Sequence, residues 1–475
     1  MDAQNWREYQ RQLQRPQVMK NTFNFGWKLF GLVLVILVLM CGVFALVHII
    51  PTHWIHDPND PNEINDDESG FITEKEERHT KNRTVSLKKS DAQKLLNQVS
   101  LVNLRSKHIE FIDAKNDTYT LETSLDMPLQ EYMLDYLKQI QNAKRGKPLQ
   151  IAIVAIDPST GKVLTMIGFD HVDNHPNPCI ANAYPAASIF KIVTASAAIE
   201  KNGLNANSTL QFTGGKYTLY KSQLKAASSK YGQNLPLSEA FAQSINPVFG
   251  KLGINTVGKF TLELYAERMG FNQSIPFEIP VSESLLTIPD DDYNIAEIAS
   301  GYNRETVISP LHAALISAAI LNDGVMPEPT IIEKIIDEKG HKIYQSEPKD
   351  LWPVLRSTTS AEMKKLMHET IVKGTARKAF KGFSNHTVLS QLNIGGKTGS
   401  MGNSTHDIKY DWFVGLAEEI QGSKKISLAI MIGHGQYLGL KASYYARLLI
   451  LKYFNPTYTE KNHIPTKTLR ASRKR

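Results

Sequence analysis

Three short motifs, far apart in the chain, constrain the fold of this sequence more than its composition does. In chain order they are Ser188-Ile-Phe-Lys191, Ser244-Ile-Asn246 and Lys397-Thr-Gly-Ser400. Together they supply a serine nucleophile with an amine beside it, a relay hydroxyl with an amide, and a cation that can hold a carboxylate, a set of groups that can form and break an ester at a serine. The set can act only if the fold brings these distant segments to one cleft.

The first motif is weak by itself. Ser-x-x-Lys occurs five times, at Ser86, Ser159, Ser188, Ser222 and Ser346. Ser188 differs because it opens an apolar segment that predicts a buried helix ending near Gly203. Lys191 lies one turn later on the same face, and a helix N-terminus offers free N–H groups to a developing anion. The alternative interpretation is a core helix with a solvated lysine.

The residue types of the first two motifs suit acyl transfer. A serine hydroxyl needs an adjacent base, and Lys191 can be that base if burial or a neighbouring cation such as Lys397 lowers its pKa. Ser244 can pass the proton to a leaving amine. Asn246 carries a donor and an acceptor, which can align a peptide backbone and hold Lys191. The alternative for this second motif is a helix-end cap, because Pro247 follows it.

The third motif ends a run that contains three glycines, the last of which is Gly399. Glycine in a strand permits the close approach of a ligand backbone. We therefore expect a substrate to lie along this strand, with Lys397 and Thr398 holding its terminal carboxylate. The backbone N–H groups of Ser188 and Ser400 would form an oxyanion hole. A glycine-rich edge strand with an exposed lysine is the alternative.

The pattern around the motifs predicts an α+β fold. Apolar spacing predicts helices over 92–104, 128–140 and 442–454. It also predicts two short strands joined by a turn over 108–125, a hairpin over 151–168, and strands over 393–400, 411–419 and 426–434. Strands at both ends of the domain with helices between them indicate one antiparallel sheet covered by helices, beside an all-helical subdomain.

Residues 30–50 form an apolar run without a charged residue, which is long enough to span a bilayer. Five basic residues precede the run, whereas the first Lys or Arg after it is Lys75. The positive-inside rule therefore places residues 1–29 in the cytoplasm and the rest outside, periplasmic or extracellular, on a single-pass cytoplasmic (inner) membrane protein. A cleaved signal peptide would have a shorter apolar core.

The remaining organisation follows from composition. We expect a linker and short stalk over 51–123, a catalytic domain over 124–455 and a basic C-terminal tail over 456–475. The net charge of +7 is mild and does not indicate nucleic-acid binding. The two cysteines, Cys41 and Cys179, imply no disulfide framework. No metal cluster or nucleotide loop is apparent, so we expect no cofactor.

With the motifs in this order, the chain resembles the transpeptidase domain of penicillin-binding proteins. The sequence around the motifs also resembles this family over roughly residues 120–455. The similar segments are LETSLDMPLQ, DPSTGKVL, TVISPLHAALISAAILNDG, and GKTGS followed by DWFVGLA. The resemblance implies an acylated Ser188, Lys191 as its base, Ser244 and Asn246 as the second motif, and Lys397, Thr398 and Ser400 as the third.

The resemblance also implies a function. The substrate would be the D-Ala-D-Ala end of a peptidoglycan stem peptide, and β-lactams would acylate the same serine. The stretch 51–123 leaves no room for a glycosyltransferase domain, so we expect a monofunctional, class B-like enzyme with a separate membrane polymerase as partner. Alternatives are a β-lactamase or β-lactam sensor, a D,D-carboxypeptidase, and a non-catalytic scaffold.

The sequence departs from the family pattern at three places. Ala187 stands before the nucleophile, where family members usually carry glycine, and Ser400 stands where threonine is common. The glycine-rich signature expected before TVISPL is reduced to ASGYNRE, residues 299–305.

Overall fold

The computed structural model describes residues 87–143, 145–225 and 232–459. The expected cytoplasmic tail, the apolar run 30–50, the linker up to residue 86 and the basic tail from residue 460 onward lie outside the described residues. Among the described helices, none combines the length and the apolar character that a membrane crossing requires.

The described strands are β1 His108–Ile112, β2 Thr118–Thr123, β3 Gln150–Ile156, β4 Val163–Asp170, β5 Tyr184–Pro185, β6 Thr209–Phe212, β7 Gln233–Pro236, β8 Val307–Ile308, β9 Val325–Pro327, β10 Ile332–Asp337, β11 Lys342–Gln345, β12 Asp350–Pro353, β13 Leu392–Gly402, β14 Lys409–Glu419 and β15 Lys425–His434.

The described α-helices are α1 Lys89–Leu95, α2 Met127–Gln141, α3 Lys191–Asn202, α4 Lys221–Leu224, α5 Leu237–Ala242, α6 Asn246–Lys251, α7 Gly258–Arg268, α8 Asp292–Ser300, α9 Pro310–Leu321, α10 Ser357–Val372 and α11 Ala442–Phe454. A π-helical segment, Leu252–Val257, joins α6 to α7.

A five-stranded antiparallel sheet in the order β13-β14-β15-β3-β4 organises the domain. Its inner strands are buried on both faces, β3 over its whole length. Helices α2 and α11 pack on one face and α9 on the other. The prediction of one antiparallel sheet built from both ends of the domain and covered by helices is confirmed. It makes β13, which carries the third motif, an edge strand.

The segment that precedes the catalytic domain in the sequence analysis joins a second sheet. Strand β2 pairs with β10, with Leu121 opposite Ile335, and β1 and β11 complete the order β1-β2-β10-β11. Of the two strands expected around a turn, β2 therefore hydrogen-bonds to a strand from the middle of the chain, and β1 pairs with β2 at the edge of the sheet.

The expected helix over 92–104 is shorter than predicted, because α1 ends at Leu95. Asn103 has a positive φ of 60°. Its side-chain amide donates to the Gly168 carbonyl at 2.7 Å and accepts from the Gly168 N–H at 3.0 Å. These tertiary hydrogen bonds to β4 require an irregular backbone, and periodicity could not reveal them.

The middle of the chain packs α3 and α5–α8 into a lobe beside the sheet. It is not all-helical as expected, because β6 and β7 form a short two-stranded sheet within it. The second motif lies in this lobe, at the turn between α5 and α6. The first motif spans the 3₁₀ turn Ala187–Phe190 and the first residue of α3.

Candidate active site

The predicted nucleophile lies in a strained turn. Ser188 is in the 3₁₀ turn Ala187–Phe190, which leads directly into α3 rather than forming the first turn of an α-helix. Ala187 has a φ of +49°, a left-handed conformation that is costly for a residue with a Cβ. The end of α8 packs on this turn, since a Cβ added to Gly301 would lie 1.9 Å from the Ala187 carbonyl oxygen.

Lys191 lies beside Ser188 in a fully buried position. Its Nζ is 2.9 Å from Ser188 Oγ and 2.8 Å from Asn246 Oδ1, and it also contacts the Ser300 carbonyl oxygen. Burial, together with the positive charge of Lys397, holds the pKa of Lys191 well below its usual range. No carboxylate is among these contacts to offset that effect.

The three contacts match the hydrogen-bonding capacity of a neutral amine. An –NH₂ group has two donors and one lone pair. The carbonyl oxygens of Asn246 and Ser300 can only accept, so they take both donors. The lone pair is then left for the hydroxyl proton of Ser188. This arrangement can activate Ser188 as a nucleophile.

A second buried lysine lies on the opposite side of the cleft. Lys397 Nζ donates to Ser244 Oγ at 2.9 Å and to the Thr398 carbonyl at 2.8 Å. Burial lowers the pKa of Lys397 to about 7. Ser244 itself has a positive φ of 57° at the turn before α6. The structure thus couples the second motif to the third through one hydrogen bond.

Asn246 is the first residue of α6 and is held from two sides. Its Oδ1 accepts from Lys191, and its Nδ2 donates to the Tyr217 carbonyl at 3.0 Å. These two bonds determine the orientation of the amide. Asn246 therefore links the base to the segment that carries Tyr217 at the rim of the cleft.

The motif residues meet around one cleft of about 550 Å³. Its lining includes Ser188, Ser244, Asn246, Thr398, Gly399 and Ser400. Lys191 and Lys397 lie directly behind this lining and reach it through Ser188 and Ser244. Because β13 pairs only with β14, its other edge is open to an extended peptide as far as Met401; at Gly402 the carbonyl already accepts from Arg304 Nε at 2.9 Å.

Sequence reasoning missed three residues of this site. Ser300 supplies the carbonyl that receives Lys191, and Gly301 supports the turn of the nucleophile. Thr375 Oγ1 lies 2.5 Å from Thr398 Oγ1 and ties β13 to the helical lobe. Two signals pointed to Ser300 and Gly301: the ASGYNRE stretch, residues 299–305, and the glycine at the end of an apolar helix, where glycine is common.

One group outside the cleft has metal-ligand chemistry. Asp170, Asp173 and His175 present ligand atoms that lie within 4.8 Å of one another at the end of β4. None of the three lines the cleft. Exposed carboxylates often lie together without an ion, so we derive no step from this group.

Comparison with known families agrees with the geometry. The family model described as the penicillin binding protein transpeptidase domain matches residues 151–449. A relative from Mycolicibacterium smegmatis, named peptidoglycan D,D-transpeptidase PbpA, is 24% identical over 350 residues, which cover 66% of this chain and 67% of the relative. Stage V sporulation protein D of Bacillus subtilis is 24% identical over 299 residues, 60% of this chain and 44% of the relative.

Solved structures show the same fold. Penicillin-binding protein A from M. tuberculosis, determined as a penicillin G acyl-enzyme complex, superposes with a TM-score of 0.54 at 21% identity, over 70% of this chain and 80% of that one. The match to the family model spans well over half of the sequence and contains all three motifs. The chain therefore belongs to the penicillin-binding protein transpeptidase domain family.

Proposed function

We propose that the protein is a peptidoglycan D,D-transpeptidase that cross-links stem peptides through an acyl-enzyme on Ser188. The observation that carries this proposal is the environment of Lys191. Its amine contacts the hydroxyl that it would activate and two carbonyl oxygens that orient it, and the side chain is completely buried. The M. smegmatis relative bears the name of this activity.

Acylation follows from the geometry. Ser188 Oγ forms a bond to the carbonyl carbon of the penultimate D-Ala while its proton passes to the Lys191 amine. The N–H groups of Ser188 and Ser400 stabilise the resulting oxyanion. The C–N bond to the terminal D-Ala then breaks, and the leaving nitrogen takes a proton through the Ser244 hydroxyl.

Deacylation reverses these roles with a different amine. The amino group of a second stem peptide attacks the ester carbonyl and gives one proton to the base. The C–O bond to Ser188 breaks, and Oγ regains its proton. A β-lactam enters the same first step, because its strained amide presents a carbonyl carbon and a carboxylate at comparable positions. Thr398 lines the cleft there, and the charge of buried Lys397, one hydrogen bond behind Ser244, attracts the carboxylate.

The apolar run 30–50 and the charges around it support a membrane location. We propose a single-pass anchor in the cytoplasmic membrane, with residues 1–29 in the cytoplasm and the catalytic domain on the outer side, where peptidoglycan is found. A separate membrane glycosyltransferase would then supply the glycan strands. Protease protection of an epitope at the N-terminus in sealed vesicles tests the orientation.

The test of the catalytic proposal is acylation of the full chain by a labelled penicillin, followed by intact mass. One adduct that persists for many minutes on the wild type and is absent from Ser188→Ala supports it. Rapid loss of the adduct by hydrolysis would indicate a β-lactamase.

A second assay separates the transpeptidase from a carboxypeptidase. A donor peptide ending in D-Ala-D-Ala is incubated with and without an acceptor amine, and the products are identified by mass. A cross-linked product that displaces the hydrolysed one is expected. Hydrolysis alone, at any acceptor concentration, would contradict transpeptidation.

A further inference from the structure

The cleft extends beyond the three motifs at one end. Past Ser400 its lining continues with Met401, Gly402, Lys409, Asp411 and Lys441. Lys409 opens β14, directly opposite Gly402 in the β13–β14 register. Lys441 is the residue that precedes α11. This end of the cleft, which we call the lysine end and define by Lys409 and Lys441, takes no part in the acyl transfer described above.

The direction of β13 determines which part of a substrate reaches the lysine end. On the proposed function, Lys397 and Thr398 hold the terminal carboxylate and Ser400 N–H holds the reacting carbonyl. An extended peptide along this edge therefore places the residues that precede the scissile bond next to Met401 and Gly402. Side chains of the donor upstream of D-Ala-D-Ala then face the lysine end.

The two lysines carry charge that their surroundings do not cancel. Both are exposed, and neither forms an ion pair within 4 Å with a carboxylate of the described residues. Burial raises the pKa of Asp411, although the charges of Lys441 and Lys409 act against this shift, and Asp411 Oδ2 accepts from the Ala442 N–H at 2.7 Å. Asp407, in the β13–β14 turn, accepts from Asn403 and Thr405.

One further feature adds positive potential to the lysine end. The N-terminus of the 13-residue helix α11 begins at Ala442, immediately after Lys441, and adds partial positive charge. His434 is buried close to both lysines, and burial together with the charges of Lys409 and Lys441 lowers its pKa to about 4. His434 is therefore neutral near pH 7 and adds no charge of its own.

We propose that Lys409 and Lys441 bind a free carboxylate on a donor residue upstream of D-Ala-D-Ala, so that the enzyme selects acidic donor stems over amidated ones. This inference rests on the proposed function, because it places the donor along β13. It concerns specificity only: neither lysine contacts Ser188, Lys191 or Ser244 in the structure.

The test compares two synthetic donors that end in D-Ala-D-Ala and differ only in a carboxylate or a carboxamide on the preceding side chain. Release of D-Ala gives kcat/KM for the full chain, and each donor also competes against labelled penicillin for Ser188. The variants are Lys409→Gln, Lys441→Gln and the double variant. Lys339→Gln, at an exposed turn between β10 and β11, is the matched control.

We expect the wild type to prefer the acidic donor roughly three- to tenfold, the range expected for one or two partly exposed ion pairs. The preference should fall toward one in the double variant and at high salt, and stay unchanged in Lys339→Gln. Penicillin acylation should remain near wild type in all four variants.

The outcomes separate this inference from the proposed function. Suppose that penicillin acylates Ser188 but the enzyme does not distinguish the two donors, either because both react and compete equally or because neither reacts nor competes. The specificity inference is then overturned, while acylation of Ser188 is still supported. If the double variant also loses penicillin acylation, the lysines act on the catalytic groups and the inference is wrong. If the wild type is not acylated at all, the proposed function fails first.

Discussion

The carbonyl oxygen of Ala187 occupies the space that a side chain on Gly301 would need, since a Cβ there would lie only 1.9 Å from it. Two turns with positive φ, one before the nucleophile and one at the end of α8, thus pack backbone against backbone. The same α8 end supplies the Ser300 carbonyl that holds Lys191. The position of the serine and the orientation of its base depend on one contact between distant segments.

Gly301→Ala should therefore displace the nucleophile turn. We expect the rate of penicillin acylation to fall by about 10²-fold, the usual cost of a displacement near 1 Å at a reacting group. Gly203→Ala is the matched control: it too caps a helix with a φ of +69°, but its Cβ would meet nothing within 4 Å. That variant should lose about 1 kcal/mol of stability and acylate normally. Equal acylation by both variants would refute the contact as a positioning device.

Lys191→Met should remove the base while keeping a side chain of similar length in the buried site. Loss of a general base costs about 10²–10⁴ in rate, so acylation by penicillin should slow by that factor. Stopped-flow acylation combined with a thermal melt distinguishes lost chemistry from lost folding. A variant that melts like the wild type and acylates at the wild-type rate would show that Ser188 uses another base.

The charge of Lys397 predicts an alkaline limb in the pH profile. Its pKa of about 7 means that the ammonium is present below pH 7 and is lost as the pH rises through that value. Attraction for a ligand carboxylate should decline over the same range, because only the cation binds it. We expect the second-order acylation rate of a penicillin to fall above pH 7, and that of its methyl ester to lack this fall. Parallel profiles would exclude Lys397 as the carboxylate site.

Ala187→Gly tests the strain before the nucleophile. A left-handed φ costs a non-glycine residue about 1–2 kcal/mol, whereas glycine loses about 0.4–1 kcal/mol more conformational entropy on folding. The variant should gain roughly 0.5–1 kcal/mol in free energy of unfolding, measured by urea denaturation. A loss of stability would show that the Ala187 methyl group makes packing contacts worth more than the strain.

Local patterns determined much of this protein. Apolar periodicity predicted α2 and α11, and two apolar runs joined by a turn signal at Pro158–Gly161 predicted the β3–β4 hairpin. The three-residue spacing of Ser188 and Lys191 placed hydroxyl and amine on one side of the chain, as the 2.9 Å contact shows. These local structures depend on residues that are close in sequence, so they can be predicted from the sequence.

Only the tertiary structure decided which distant groups complete the site. Ser300 and Thr375 carry no motif, yet one receives Lys191 and the other contacts Thr398. Asn103 lies in the part of the expected helix that is irregular, where its side chain pairs with the backbone of Gly168 in β4. The burial that lowers the pKa of both Lys191 and Lys397 likewise arises from packing of the lobe against the sheet. These contacts join residues that sequence spacing cannot relate, because their distance is set by how whole elements pack.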